Sequence, residues 1–265
     1  MKRRIFVAAF ALCAIASVQG CSPHAGGTAD PARAPDGWVA PPRIESAERT
    51  AMGLTVRGQV APQGRVVLRG DGNRAYATGA DANGRFELKV QTPTADALFV
   101  VETQNGQDAA PAPYRLFVTR DPTGPIALLT PGAPSHRLDG SIGSVGRLDA
   151  IDSDGRTLLL SGRARPGSSV ALALSGRPPV SVQPSADGVW TAQPGGEGAG
   201  PRIVTVDGQT YAYPGLGGVP EGSGGGGGAD PSHAGVSVAS APSGWTATWT
   251  LPAGGSQSSW FPSTR

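Results

Sequence analysis

Three aspartates within six residues, Asp149, Asp152 and Asp154, form a dense group of metal-capable side chains in the 265-residue sequence. Asp152-Ser153-Asp154-Gly155 carries half of a calcium-loop spacing, in which alternating oxygen ligands converge on one hard cation. The third alternating acid and the distal glutamate are missing, so the cluster stands as a metal candidate beside the plainer reading of a solvated turn. His24, His136 and His233 lie far apart in Pro-, Ser- and Gly-rich stretches and read as exposed loop residues, not as a ligand set. Ser141 and Ser144 sit in Gly140-Ser-Ile-Gly-Ser-Val-Gly146, which lacks both the glycines of a nucleophile elbow and the Lys-Ser/Thr of a phosphate loop. No catalytic residue and no cofactor is assigned, and the chain reads as a non-enzyme.

The tryptophans allow a different chemistry. Trp245 and Trp249 are four residues apart on an alternating stretch, so they share one strand face with Ala247 and Leu251. Such a face, with Trp260 nearby, is either a flat platform on which a sugar polymer stacks or the inward side of a core, since each indole buries a large apolar area. Trp190 reads as core.

The elements that position these residues begin with an export signal. Lys2, Arg3 and Arg4 precede an apolar run from Ile5 to Ala16, too short to span a bilayer. Val18-Gln19-Gly20-Cys21 resembles the bacterial lipobox, whereas Cys13 follows bulky Leu12 and is the poorer candidate. The resemblance implies cleavage before Cys21, thioether diacylation and N-acylation of that cysteine, and, with Ser22 next to it, sorting to the outer membrane. Two or three acyl chains anchor stably where one binds reversibly.

Cleavage changes the charge balance. The full sequence has 22 basic and 20 acidic side chains, and removal of residues 1–20 takes three cations with it, leaving a net charge of −1. Basic residues are scattered, which excludes a nucleic-acid surface. The mature chain keeps one cysteine, so burial and not a disulfide must hold the fold.

Gly (40) and Pro (25) make up nearly a quarter of the chain, which argues against helices. Beyond a Pro/Gly-rich tether the sequence repeats at an offset of 104. Arg43, Leu54 and Gly58 match Arg147, Leu158 and Gly162; Pro62, Val66 and Leu68 match Pro166, Val170 and Leu172. Gly84, Phe86 and Val100 fall on Gly188, Trp190 and Val204. A second correspondence, at 121, relates Leu129–Ser135 to Thr250–Ser256. Strict alternation in Arg85–Val90 and Ser169–Leu174 predicts half-buried strands. Turns are predicted at Asp81–Gly84, Ala186–Gly188 and Arg165–Ser168, the last of type II with Gly167 at positive φ. Short strands at such spacing predict an all-β sandwich.

Gly58-Gln-Val-Ala-Pro62-Gln-Gly64-Arg-Val66-Val-Leu68 and Gly162-Arg-Ala-Arg-Pro166-Gly167-Ser-Ser-Val170-Ala-Leu172 resemble the opening of bacterial Ig-like domains, and Asp81–Phe86 and Ala186–Trp190 resemble the hairpin that follows it. Carboxypeptidase-regulatory-like sandwiches share that hairpin, so both topologies stay open. The resemblance implies Greek-key β-sandwich modules without catalytic residues.

The expected organisation is a signal peptide (1–20), lipidated Cys21 with a flexible tether (21–42), a first sandwich (43–140), a Gly-rich connector (141–146) and a second sandwich (147–265) with a Gly-rich loop at about 214–235. The expected function is a non-catalytic outer-membrane lipoprotein: an envelope scaffold, adhesion unit or interaction module held to the membrane through Cys21 and contacting an envelope protein or polysaccharide. The alternative is a carbohydrate-binding module using Trp245, Trp249 and Trp260.

Overall fold

The computed structural model describes residues 39–72, 74–106, 108–139, 146–195, 200–215 and 235–263. Their regular structure is β-strand throughout, in four antiparallel sheets. Sheet A runs β1 (Arg43–Thr50), β2 (Gly53–Gln59), β5 (Arg85–Val90). Sheet B runs β4 (Ala75–Gly79), β3 (Arg65–Arg69), β6 (Ala97–Asn105), β7 (Asp108–Val118), β8 (Ile126–Leu129), β9 (His136–Arg137). Sheet C runs β14 (Val189–Ala192), β11 (Leu158–Arg163), β10 (Arg147–Ser153), β19 (Ser256–Pro262), β18 (Gly244–Thr250), β17 (Val236–Ala241). Sheet D runs β13 (Val180–Val182), β12 (Val170–Leu174), β15 (Arg202–Val206), β16 (Gln209–Tyr213).

Two Ig-like Greek-key sandwiches are built from these sheets. In the first, β1-β2-β5 faces β4-β3-β6-β7; in the second, β10-β11-β14 faces β13-β12-β15-β16. This is the A-B-E against C′-C-F-G arrangement of the immunoglobulin-type sandwich. Alternation sets the inward faces. Phe86, Leu88 and Val90 are buried in the first core, and Val170, Leu172 and Leu174 in the second. The tight turns form as their residues require. Asp81 Oδ1 accepts the N–H of Asn83 and Arg85, Gly84 has φ +78°, and Ser168 N–H closes on Arg165 C=O around Gly167 at φ +76°.

The offset of 104 persists through the ladders of sheets A and C. Register slips by one residue between Ile44 and Ser46 in β1, and between Leu148 and Ala150 in β10. Gly58 pairs with Phe86, and Gly162 with Trp190. The offset becomes 105 by β6, because Leu68 pairs with Val101 while Leu172 pairs with Val206. The Val100–Val204 match is therefore one residue out of phase: the buried counterpart of Val204 is Phe99.

The sandwiches are not separate beads. Leu98, Phe117, Ala127 and Leu129 on sheet B pack against Ala150, Ala247, Trp249 and Phe261 on sheet C in a third core. Phe117 and Phe261 stack with ring centroids 6.1 Å apart. Strands β8 and β9, and β17 to β19, lie outside the seven-strand repeats and widen the two sheets that meet there. Hence all four residues of β8 are buried: Ile126 and Leu128 face the first core, Ala127 and Leu129 the third. The described residues from Val39 onward belong to one compact unit. The tether expected to run to residue 42 ends in contact with that unit, since Pro42 is buried and its carbonyl accepts the Tyr114 hydroxyl at 2.7 Å.

Gly58 and Gly162 are fixed by space. A Cβ at Gly162 would lie 2.0 Å from Arg147 O and 2.3 Å from the Trp190 ring; at Gly58 it would lie 2.1 Å from Arg43 O and 2.9 Å from Phe86. Gly162→Ala is expected to destabilise the protein by about 3 kcal/mol and Gly58→Ala by somewhat less, read from urea unfolding. A loss below about 1 kcal/mol at Gly162 would contradict the packing described.

Candidate functional site

The three aspartates diverge. Asp149 is fully buried and accepts from Arg147 Nε at 3.0 Å and Arg163 Nε at 2.7 Å. Asp152 is buried in a separate polar cluster. Asp154 is exposed and accepts the N–H groups of Arg156 and Thr157 in a turn, which holds its carboxyl below the usual aspartate range. Among the described residues no group of three His, Cys, Asp or Glu side chains is placed to hold a metal. The metal candidate is corrected on this geometry: each carboxylate serves different protein donors.

The exposed platform expected of Trp245, Trp249 and Trp260 does not form either. Trp249 is 1% exposed in the third core with Ala247, and Trp260 is 2% exposed in the second core, on the opposite face of sheet C. Trp245 is half-buried. Sheet C is covered on both faces at Trp249 and Trp260, so burial withdraws those two rings from a sugar platform. His136 begins β9 and is half-buried, not a loop residue; burial lowers its pKa, and its Nδ1 has no partner among the described residues. Cys21, His24 and His233, the connector serines and most of the Gly-rich loop lie outside the described residues.

The residues that the structure does gather lie along the seam between sheets B and C. Asp152 Oδ2 accepts Ser135 N–H at 2.6 Å, while its Oδ1 accepts the hydroxyls of Ser135 and Ser259 and Gln257 Nε2. Gln257 reaches the β8–β9 turn as well, donating to the carbonyls of Thr130 and Ala133 and accepting Gly132 N–H at 2.9 Å. Ser161 donates to Ser135 C=O. Every side chain in this cluster is nearly or fully buried, so it fixes the turn to β10, β11 and β19. Sequence reasoning missed Ser135, Gln257 and Ser259. The one signal was the likeness of Leu129–Ser135 to Thr250–Ser256, since the first segment meets Gln257, the residue just after the second.

A second cluster continues the seam. Arg137 pairs with Asp139 and donates from Nη1 to Pro262 C=O at 2.8 Å. Arg147 and Arg163 both donate to Asp139 C=O at 3.1 Å and share Asp149. Gly146, the one described residue of the expected connector, donates its N–H to Asp207 Oδ2 at 2.8 Å. Beside this cluster opens a cavity of about 540 Å³, walled by Arg137, Arg147 and Asp149, by Gln209–Ala212 of β16, and by Trp260 and the ends of β18 and β19.

No protein-family model and no curated protein matches the sequence. Among solved structures the chain is similar to the central fibronectin-III array of RIM-binding protein, at 15% identity and a TM-score of 0.24, covering 80% of this chain and 72% of that one. It is also similar to invasin, a bacterial integrin-binding protein, at 12% identity and a TM-score of 0.21, covering 86% of this chain. It spans about half (54%) of the invasin chain.

Burial raises the Asp152 pKa against the pull of its hydrogen bonds. A carboxyl with a raised folded pKa contributes most stability below its unfolded value and loses that contribution as pH climbs through the folded one. Asp152→Asn removes this titration at nearly constant size. Urea unfolding from about pH 4 to about pH 7 is expected to shift the stability difference progressively in favour of the variant. A difference that is flat, or that moves the other way, would contradict the assignment.

Proposed function

We propose that the chain is a non-catalytic lipoprotein of the bacterial outer membrane, anchored through Cys21, whose paired sandwiches serve as a rigid protein-interaction module of the envelope. One observation supports the interaction reading most directly: the two outer faces of the described unit differ in chemistry. The outside of sheet A carries an ion-paired ladder in which Arg57 meets Glu48 and Glu87, the pattern of a solvated face. The outside of sheet D places Ala171, Ala173, Ser181, Ile203, Thr205, Thr210 and Ala212 side by side with no charge among them, and Ile203 is 46% exposed. A flat, uncharged sheet face with an exposed isoleucine suits contact with another protein better than contact with water. The non-catalytic reading draws on the same structure, since the serines and carboxylates of the seam are buried and joined to one another.

The anchor is tested by labelling. Wild-type protein is expected to incorporate palmitate and fractionate with outer membranes, and Cys21→Ser to lose both properties. Retention of label and membrane association in Cys21→Ser would refute the lipoprotein reading. Protease treatment of intact cells then reports the side of the membrane: digestion indicates surface adhesion, and protection indicates a periplasmic scaffold.

A further inference from the structure

We propose that the outer edge of β16 accepts an added antiparallel strand from a partner protein, an extended segment that carries an apolar residue for the adjoining cavity and a carboxylate for Arg147. The proposal deepens the interaction reading and rests on it.

The first sandwich supplies the template. Phe99 pairs with Leu116 in β6–β7, and its counterpart Val204 pairs with Tyr211 in β15–β16, so Arg115–Val118 corresponds to Thr210–Tyr213. In the first sandwich that stretch is covered by β8, with Arg115 opposite Leu129 and Val118 opposite Ile126. Among the described residues no strand covers the corresponding stretch of β16; the chain is next described at Gly235, and β17 joins sheet C instead. Among the described residues, the edge filled in one repeat has no strand on it in the other.

The open position is shaped to receive a strand. Gln209, Thr210, Tyr211 and Ala212 all line the 540 Å³ cavity. Successive side chains on a strand point to opposite faces, so four consecutive residues share one wall only along the backbone edge. Val206 and Gln209 close a two-residue hairpin over Asp207-Gly208, both at positive φ. Gln209 and Tyr211 therefore turn their N–H and C=O groups toward β15, while Thr210 and Ala212 turn theirs outward. Main-chain pairing at such an edge supplies affinity, and flanking pockets supply choice of sequence.

Charge and shape select the segment. Arg137 is paired with Asp139, while Arg147 and Arg163 share the single carboxylate of Asp149, so the surplus positive charge lies at Arg147 in the cavity wall and favours an acidic side chain. Trp260 also lines the cavity, and its indole N–H has no acceptor among the described residues. The template strand places Ile126 and Leu128 against the first core, which sets the apolar requirement.

The test uses the purified full chain and a fluorescein-labelled peptide with the sequence of residues 124–131 preceded by two aspartates, compared with the same peptide preceded by two lysines. Ala212→Pro removes one outward N–H and leaves the β15 ladder intact. The aspartate peptide is expected to bind wild type, with the lysine peptide and Ala212→Pro each weaker by about tenfold or more. Hydrogen exchange keeps the test valid should Ala212→Pro fail to fold: peptide addition slows the amides of Thr210 and Ala212 and leaves that of Tyr211 unchanged. Absence of binding, or equal binding by Ala212→Pro, overturns the proposal. So does protection of those two amides without peptide, which assigns the edge to the chain itself or, where it grows with protein concentration, to a second copy. None of these failures touches the Cys21 labelling result, which decides the lipoprotein reading separately.

Discussion

Burial of both inner sheets on both of their faces is the constraint on which the remaining structure depends. Sheet B must satisfy the first core and the third at once, and sheet C the third and the second. Its composition follows: Ala127, Ala150 and Ala247 let the sheets approach, while Phe117, Phe261 and Trp249 fill the space between them. This burial also withdraws Trp249 and Trp260 from a ligand platform.

A seam closed by apolar packing in its middle must satisfy its polar backbone at its ends. The β8–β9 turn is irregular and runs from half-buried Thr130 to fully buried Ser135, so its carbonyls and N–H groups need partners where water is shut out. Gln257, Ser135 and Asp152 supply them on one side, and the Arg137–Asp139 and Arg147–Asp149–Arg163 clusters on the other. Asp149 and Asp152, metal candidates in the sequence, are thereby structural acceptors.

Sequence patterning was informative at the level of strands and repeats. Alternation in β5 and β12 and the turns at Gly84 and Gly167 are local features, and period and turn chemistry encode them directly. The third core was not legible because its members, from Leu98 to Phe261, are spread along the chain and no local period links them. For the same reason Trp249 and Trp260, both on apolar-looking strands, could not be assigned to opposite faces of one doubly covered sheet. The slip from 104 to 105 shows a further limit: an identity such as Val100 with Val204 scores as a match although the ladder places the two residues on opposite faces. Asp152 illustrates the polar case, since its partners come from the β8–β9 turn and β19, far from it in sequence.

Native-state hydrogen exchange on Phe117→Ala tests the central core most directly. Phe117 belongs to the first sandwich, yet its ring packs against Phe261 of sheet C. Loss of the ring is expected to cost about 3–5 kcal/mol, and this account predicts that the slowest amides of both sandwiches, Leu68 and Val101 in one and Leu172 and Val206 in the other, lose protection together. Loss confined to Leu68 and Val101, with Leu172 and Val206 unchanged, would mean that the two sandwiches unfold independently and would contradict the account.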